Sequence, residues 1–175
     1  MEQTYAIELK NITKRFGKIV ANDGINLKVK RGEILSLLGE NGSGKTTLMN
    51  MISGIYFPDE GHILVDGKAV SIRSPKDSFD LGIGMIHQHF KLIDVMTAAE
   101  NIILGLKGNA VLDMKKVHKD IQELVDRYGF DLDPAQKVYT MSVSQKQTVE
   151  IVKMLYRGAN ILILDVNWCN KIACI

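Results

Sequence analysis

The chain has 175 residues, of which 46% are apolar and 24% are charged, and its net charge at pH 7 is +2. These values indicate one globular domain with a real core, and they exclude nucleic-acid binding driven by charge alone. No apolar run approaches a membrane span, and the first ten residues lack the apolar core of a signal peptide. The only cysteines, Cys169 and Cys174, match neither a zinc site nor a disulfide framework, so we expect a cytosolic compartment.

The first 88 residues are predicted to form strands and turns around one helix. Alternating or continuous apolar patterns predict strands at 5–9, 25–29, 34–38 and 82–86. The strand at 34–38 is nearly continuously apolar, which is typical of a strand buried on both faces. A helix is expected over 45–52, ending near Gly54. Asp66-Gly67, between two short apolar runs, predicts a hairpin.

The pattern becomes helical after Gln88. Helices are predicted at 97–106, 113–128 and 145–156. Asp113 can cap the second helix and Gly129 can end it, while Ser142 or Ser144 can cap the third. A strand returns over 161–165. The predicted fold class is therefore α/β, with a helical insertion at about 90–150.

The segment GENGSGKT, from Gly39 to Thr46, matches the phosphate-loop pattern G-x-x-x-x-G-K-[ST] in full. A predicted strand precedes it and a helix follows, so a plain glycine-rich turn explains it less well. Its backbone N–H groups can surround phosphate oxygens, Lys45 can reach the β- and γ-phosphates, and the Thr46 hydroxyl can bind Mg²⁺. The residues expected to bind nucleotide here are Gly39, Asn41, Gly42, Ser43, Gly44, Lys45, Thr46 and Thr47.

With these motifs the chain resembles the ATP-binding subunit of an ABC transporter over about residues 5–165. The resemblance implies that Phe16 stacks on adenine and that Gln88, in MIHQHF, touches the metal or the attacking water. It implies a signature motif at MSVSQKQTVEI and a Walker B strand at ILILD. The corresponding residue sets are Ser142, Ser144 and Gln145 for the signature, and Thr46, Gln88 and Asp165 for Mg²⁺.

The resemblance also implies an architecture. We expect a P-loop NTPase-type core sheet with flanking helices at about 1–89 and 158–165, an inserted helical subdomain at about 90–157, and a non-homologous tail at 166–175. GENGSGKTTLMNMISGIYFPDEG and related stretches are similar to importers of nucleosides and simple sugars, in which two such domains are often fused. This chain is similar to the first of these two fused domains.

The implied function is ATP binding, with Mg²⁺, at the cytoplasmic face of the cell membrane. The implied partners are membrane permease subunits, a second nucleotide-binding domain (as a dimer or a tandem fusion) and, indirectly, a solute-binding protein. No nucleic-acid partner is expected. ATP hydrolysis in the family drives uptake of the solute.

Two departures from the family pattern change these expectations. Val166 stands where the catalytic glutamate follows the Walker B aspartate, so we expect no catalytic residue and no hydrolysis. Ser144 replaces a signature glycine, and its side chain can hinder the approach to nucleotide.

The end of the sequence also differs from the family. The tail VNWCNKIACI bears no likeness to it, which suggests a chain truncated after Walker B with the C-terminal part of the domain missing. The family places a further strand between the Walker A and Walker B strands, so we expect 34–38 and 161–165 to lack that neighbour. Two other interpretations stay open: a non-enzymatic fragment that docks on a partner through Gln88 and the helical insertion, or a non-functional product of a disrupted gene.

Overall fold

The computed structural model describes residues 5–87, 90–106, 113–166 and 169–175, with only the backbone given at 166 and 169–171. Backbone contacts divide the chain into two compact units. One unit comprises the residues up to 88 together with those from 159 onward, and the other comprises residues 89–158.

The first sheet belongs to the first unit and is antiparallel throughout. It contains β1 (Tyr5–Phe16), β2 (Ile19–Lys30), β4 (Glu60–Val65) and β5 (Lys68–Val70), in the order β2-β1-β4-β5. The strands predicted at 5–9 and 25–29 are confirmed but extend to 12 residues each. The predicted hairpin is confirmed as well, because Asp66 and Gly67 join β4 to β5 with φ of 48° and 75°, as a type I′ turn requires.

The second sheet of this unit contains β3, the strand that leads into the phosphate-loop motif. It contains β3 (Ile34–Leu37), β6 (Ile83–Ile86), β7 (Ile161–Val166) and β8 (Cys169–Cys174), in the order β3-β8-β7-β6. β6 and β7 are parallel, whereas β8 is antiparallel to both of its neighbours. β3, β7 and β6 therefore run in one direction and β8 runs against them.

The expectation that the strands at 34–38 and 161–165 lack a neighbour between them is wrong. β8 lies there, with Ile172 paired to Leu35 on one side and to Ile163 on the other. Its Cys174 N–H donates to the Glu33 carbonyl at 3.0 Å. Backbone pairing does not depend on likeness to a family, so a six-residue segment with an apolar inward side chain can satisfy these groups.

The prediction that the strand at 34–38 is buried on both faces is also wrong. The side chains of Ile34 and Leu38 are 69% and 77% exposed, and the strand ends at Leu37. Among the described strands, β3 has β8 as its one neighbour and lies at the edge of the sheet. Its outer side is therefore less covered than that of a central strand.

Helix α1 (Lys45–Ile52) joins the two sheets through a shared core. The prediction of a helix at 45–52 is confirmed. Side chains from α1 and from both sheets are fully buried together, among them Ile7, Leu9, Met49, Met51, Ile52, Ile163 and Ile172. This core holds the helix that follows the phosphate-loop motif against β2, β7 and β8.

The prediction of a single helix in the first 88 residues is wrong, because α2 (Pro75–Asp80) is a second one. Its Ser74 hydroxyl accepts a hydrogen bond from the Asp77 N–H, and Pro75 occupies the first turn, so both are start signals. Six residues are too few to show a helical apolar period. The predicted strand at 82–86 is confirmed as β6.

The second unit is helical, with a core of its own. It contains α3 (Ala98–Ile103), α4 (Met114–Tyr128), a 3₁₀ helix (Val138–Thr140) and α5 (Val143–Tyr156). The caps predicted for α4 are confirmed, since the Asp113 carboxylate accepts two backbone N–H groups and Gly129 has a φ of 67°. α3 is shorter than predicted and ends at Ile103. In the described ranges, none of the helices combines the length and apolarity needed to cross a bilayer.

Replacing Ile172 with alanine tests the position of β8. The side chain is 0% exposed, so we expect the free energy of unfolding to fall by about 2–4 kcal/mol. Urea unfolding followed by circular dichroism measures it. Ile175→Ala is the control, because that side chain is 43% exposed and should change the value by less than about 0.5 kcal/mol. Equal effects of the two substitutions would contradict the burial of β8.

The thiol of Cys174 provides a second test of the same strand. Burial raises its pKa to about 11, and the reactive thiolate is therefore scarce at pH 8. In a Cys169→Ser background we expect slow labelling by a thiol reagent in the native protein and fast labelling in urea. The control adds Ile175→Cys and Cys174→Ser to that background; equal native rates for the two proteins would contradict the prediction.

The raised pKa of Cys174 also predicts a pH dependence of stability. Because the thiol loses its proton at lower pH in the unfolded chain than in the folded one, the free energy of unfolding should fall as the pH rises toward 11.

Candidate nucleotide-binding site

The phosphate loop connects β3 to α1 and curls through two glycines. Gly42 and Gly44 have φ of 84° and 85°, a left-handed conformation that residues with a side chain rarely adopt. Gly44 is the N-cap of α1 and has no side-chain capping bond. The N–H groups of the first helical turn therefore have no capping side chain, which is the arrangement that binds anions.

The Lys45 ammonium lies within the curve of this loop. Its Nζ donates to the carbonyl oxygens of Gly39 and Glu40, both at 2.8 Å, and to the Ser43 hydroxyl at 3.1 Å. A Cβ on Gly39 would come within 2.9 Å of the Ser43 Oγ. The loop thus surrounds the Lys45 ammonium, a positive charge to which phosphate oxygens can bind.

The predicted loop residues differ in exposure. Those that lie open to solvent are Gly39, Asn41, Gly42, Ser43 and Thr46, whereas Gly44, Lys45 and Thr47 are half-buried. The hydroxyl of Thr46 therefore lies on the accessible side of the first helical turn. The structure brings these residues together as the motif predicts, and their contacts with a nucleotide remain predictions.

Asp165 lies at the same end of the second sheet as the phosphate loop. It pairs with Asn170 of β8, which in turn pairs with Leu37 of β3, just before the loop. Two strand spacings separate Leu37 from Asp165, roughly 10 Å. The Asp165 side chain is half-buried. Gln88, the third residue predicted to bind Mg²⁺, lies outside the described residues, and so does the side chain of Val166.

Phe16 lies at the end of β1, beside the turn to β2, and its ring is 40% exposed. The Tyr56 ring contacts it nearly edge-on, with a centroid distance of 5.2 Å and an interplanar angle of 72°. The Lys14 Nζ lies 5.5 Å from the Phe16 ring centroid. Sequence reasoning missed Tyr56, because no local signal marks it as a neighbour of Phe16, which lies 40 positions earlier in the chain.

Asp59 fixes the end of the β1–β2 hairpin beside Phe16. Its carboxylate accepts hydrogen bonds from the Lys14 Nζ at 2.9 Å and from the Arg15 N–H at 2.6 Å. These two donors, Lys14 first, hold the pKa of Asp59 below its usual value. The hairpin carrying Phe16 is therefore tied to the segment carrying Tyr56.

The signature residues belong to the second unit and begin α5. The Ser142 hydroxyl accepts the Gln145 N–H at 3.2 Å, and the Gln145 Oε1 accepts the Ser142 N–H at 3.0 Å. This reciprocal pair is a capping box, and it accounts locally for both residue types. The Ser144 side chain is exposed, and its carbonyl accepts the Thr148 hydroxyl at 3.1 Å. The signature role of the three residues remains a prediction.

A curled glycine loop between a strand and a helix, beside a parallel strand pair with an aspartate at the same end, defines a P-loop NTPase-type domain. The family model for the ABC transporter matches residues 22–166. The chain belongs to the ABC transporter family.

The relatives it matches include two bacterial importer subunits. It is 53% identical over 163 residues to the guanosine import ATP-binding protein NupO of Bacillus subtilis (strain 168), covering 92% of this chain and 32% of that protein. It is 52% identical over 167 residues to the nucleoside import ATP-binding protein NupA of Lactococcus lactis subsp. cremoris (strain MG1363), covering 94% and 33%. The chain thus spans about a third of the length of these relatives.

Solved structures share the fold. The chain is similar to cbiO1 from Clostridium perfringens, part of the ABC transporter complex cbiONQ, with a TM-score of 0.75 and 28% identity over 93% of this chain and 65% of that one. It is also similar to the ATP-binding cassette MJ0796, whose dimer binds ADP and Pi. There the TM-score is 0.69 and the identity 29%, over 91% of this chain and 73% of that one.

Proposed function

We propose that this chain binds ATP with Mg²⁺ at the phosphate loop, with Phe16 against the adenine. The position of the Lys45 ammonium inside a loop of exposed backbone is the observation that carries the proposal. A triphosphate brings negative oxygens to a place where a cation, several N–H groups and a helix N-terminus already converge. To bind the triphosphate, Lys45 would exchange its bonds to Gly39, Glu40 and Ser43 for bonds to phosphate oxygens.

Magnesium would be held by the Thr46 hydroxyl and the Asp165 carboxylate, with Gln88 as a third member of the set. Oxygen donors of this kind suit Mg²⁺, which also keeps bonds to phosphate and water. The metal, when bound, offsets negative charge on the phosphates. The exposed position of Thr46 and the place of Asp165 at the same end of the sheet support this assignment.

The solute class and the partners are part of the same proposal. NupO and NupA are import ATP-binding proteins for guanosine and for nucleosides, and this chain is more than half identical to both. We therefore favour a nucleoside, with a simple sugar as the alternative. The chain would act at the cytoplasmic face of the cell membrane with permease subunits and a second nucleotide-binding domain, and a solute-binding protein would deliver the solute. Residues 90–157 would serve as the helical subdomain.

Hydrolysis is not part of the activity proposed for this chain. The residue after Asp165 is Val166, whose hydrocarbon side chain cannot accept a proton from an attacking water. Binding and positioning of the triphosphate need only the loop and the metal donors. We therefore expect nucleotide binding without turnover.

Lys45→Ala tests the binding site. Removing the ammonium should weaken ATP binding by about 2–3 kcal/mol, a factor of about 30 to 150. Isothermal titration with ATP and Mg²⁺ measures the affinity, and circular dichroism checks that the variant is folded.

Lys119→Ala is the matched control, because it removes the same charge from an exposed position in the second unit. It should leave the affinity for ATP within a factor of about two, since an exposed charge that is not part of the phosphate loop contributes little. ATP binding that persists unchanged in Lys45→Ala would refute the assigned site.

The absence of turnover is tested by release of inorganic phosphate. With ATP and Mg²⁺ in excess, we expect the chain and its Lys45→Ala variant to release phosphate at the same rate as buffer, because Val166, directly after Asp165, cannot act as a base. Steady release by the unsubstituted chain that disappears in Lys45→Ala would show that another group activates water, and the proposal would then be wrong on this point.

A further inference from the structure

Asn22 is a buried polar residue near the start of β2, and no part of the predicted site accounts for it. Its side chain is 6% exposed, and it pairs with Lys14 of β1 in the hairpin that ends at Phe16. The Asn22 Nδ2 donates to the carbonyl oxygen of Gly44 at 3.3 Å. Asn22 therefore contacts the last glycine of the phosphate loop from a strand of the other sheet.

Gly44 lies directly against β2 at this point. With a φ of 85°, a Cβ there would overlap the Ala21 carbonyl oxygen and come within 2.8 Å of the Asn22 Nδ2. The Gly44 carbonyl also accepts the Leu48 N–H at 2.9 Å, the bond that starts α1. Its oxygen is thus held from two directions, by the helix and by Asn22.

The planarity of the peptide bond extends this contact to the phosphate site. The Gly44 carbonyl and the Lys45 N–H belong to one trans peptide unit and point in opposite directions. The Lys45 N–H has no partner within the helix, because it belongs to the first turn of α1. A group that fixes the carbonyl on one side therefore aims this N–H on the other, toward the space enclosed by the loop.

The second polar atom of the Asn22 side chain shows that the residue is not chosen for stability alone. Its Oδ1 is buried and has no hydrogen-bond partner among the described residues. A buried acceptor without a partner destabilises the folded state, whereas leucine has the same branched arrangement of side-chain heavy atoms and would add apolar burial without that penalty. A residue that is unfavourable for folding but contacts the site has the character of a functional one.

We propose that Asn22 is a positioning residue for triphosphate binding, which holds the Gly44–Lys45 peptide so that the Lys45 N–H faces the phosphates. The inference rests on the proposed function of the loop. It also assigns separate tasks to one hairpin: Phe16 acts on the base, and Asn22 acts on the phosphates through Gly44.

Asn22→Leu tests the inference, with ATP and inorganic tripolyphosphate as the two ligands. Loss of the bond to Gly44 should weaken both by the same factor, about threefold to tenfold, while the melting temperature without ligand stays equal or rises. Phe16→Leu should weaken the binding of ATP and leave the binding of tripolyphosphate unchanged.

Asn22→Asp gives a second test at pH 8. It keeps the shape of the side chain but turns a carboxylate oxygen toward the Gly44 carbonyl, so it should weaken the binding of both ligands at least as much as Asn22→Leu does.

Asn26→Leu is the matched control. It is the same substitution on the same strand, at an exposed amide that bonds to Asn11 and Gly24, and it should leave both affinities unchanged. The inference is overturned if Asn22→Leu binds both ligands within twofold of the unsubstituted chain, or if its loss is matched by Asn26→Leu. Failure of the unsubstituted chain to bind either ligand would instead overturn the proposed function, and the inference with it.

Discussion

The backbone pairing of β8 with both β3 and β7 is the interaction on which the first unit depends. β3 leads into the phosphate loop and β7 ends in Asp165, and β8 is the strand that connects them. Without it, the facing edges of both strands would leave backbone groups in the core without partners, where each costs about 1–3 kcal/mol. The fully buried Ile172 adds apolar contact from the same strand to the core that holds α1. The geometry of the candidate site is therefore set by a segment that contributes no predicted site residue.

Features that depend on neighbouring residues could be predicted from the sequence. The phosphate loop, the Asp66-Gly67 hairpin and the capped helix α4 all follow from residue types at fixed offsets, where glycine conformation or a capping carboxylate decides the structure. The family resemblance rests on the same kind of local signal, and the match of the ABC transporter family model to residues 22–166 confirms it. Residue type and spacing alone therefore identify the residues of the loop.

Features that depend on distant partners could not be predicted in this way. The exposure of Ile34 and the pairing of β8 are set by which strand lies next to β3, and an apolar run does not carry that information. Asn22 illustrates the same limit within the site. In sequence it is one polar residue of a strand, and its relevance appears only when the fold places Gly44 against it, 22 positions later in the chain. Tyr56 beside Phe16 is another contact of this kind.

The antiparallel direction of β8 has a consequence for the order in which the sheet assembles. An antiparallel neighbour can follow β7 after a two-residue connection, whereas a parallel one would need a crossover of a dozen residues or more. Pairing between β7 and β8 is therefore local and fast, but Leu35 pairs with Ile172 roughly 137 positions further along. During synthesis, β3 and the loop it leads into must wait for nearly the whole described chain before their sheet partner exists. Closure of β3 onto β8 is thus a late, high-contact-order step, and until it occurs the β3 edge is open to pairing with other chains.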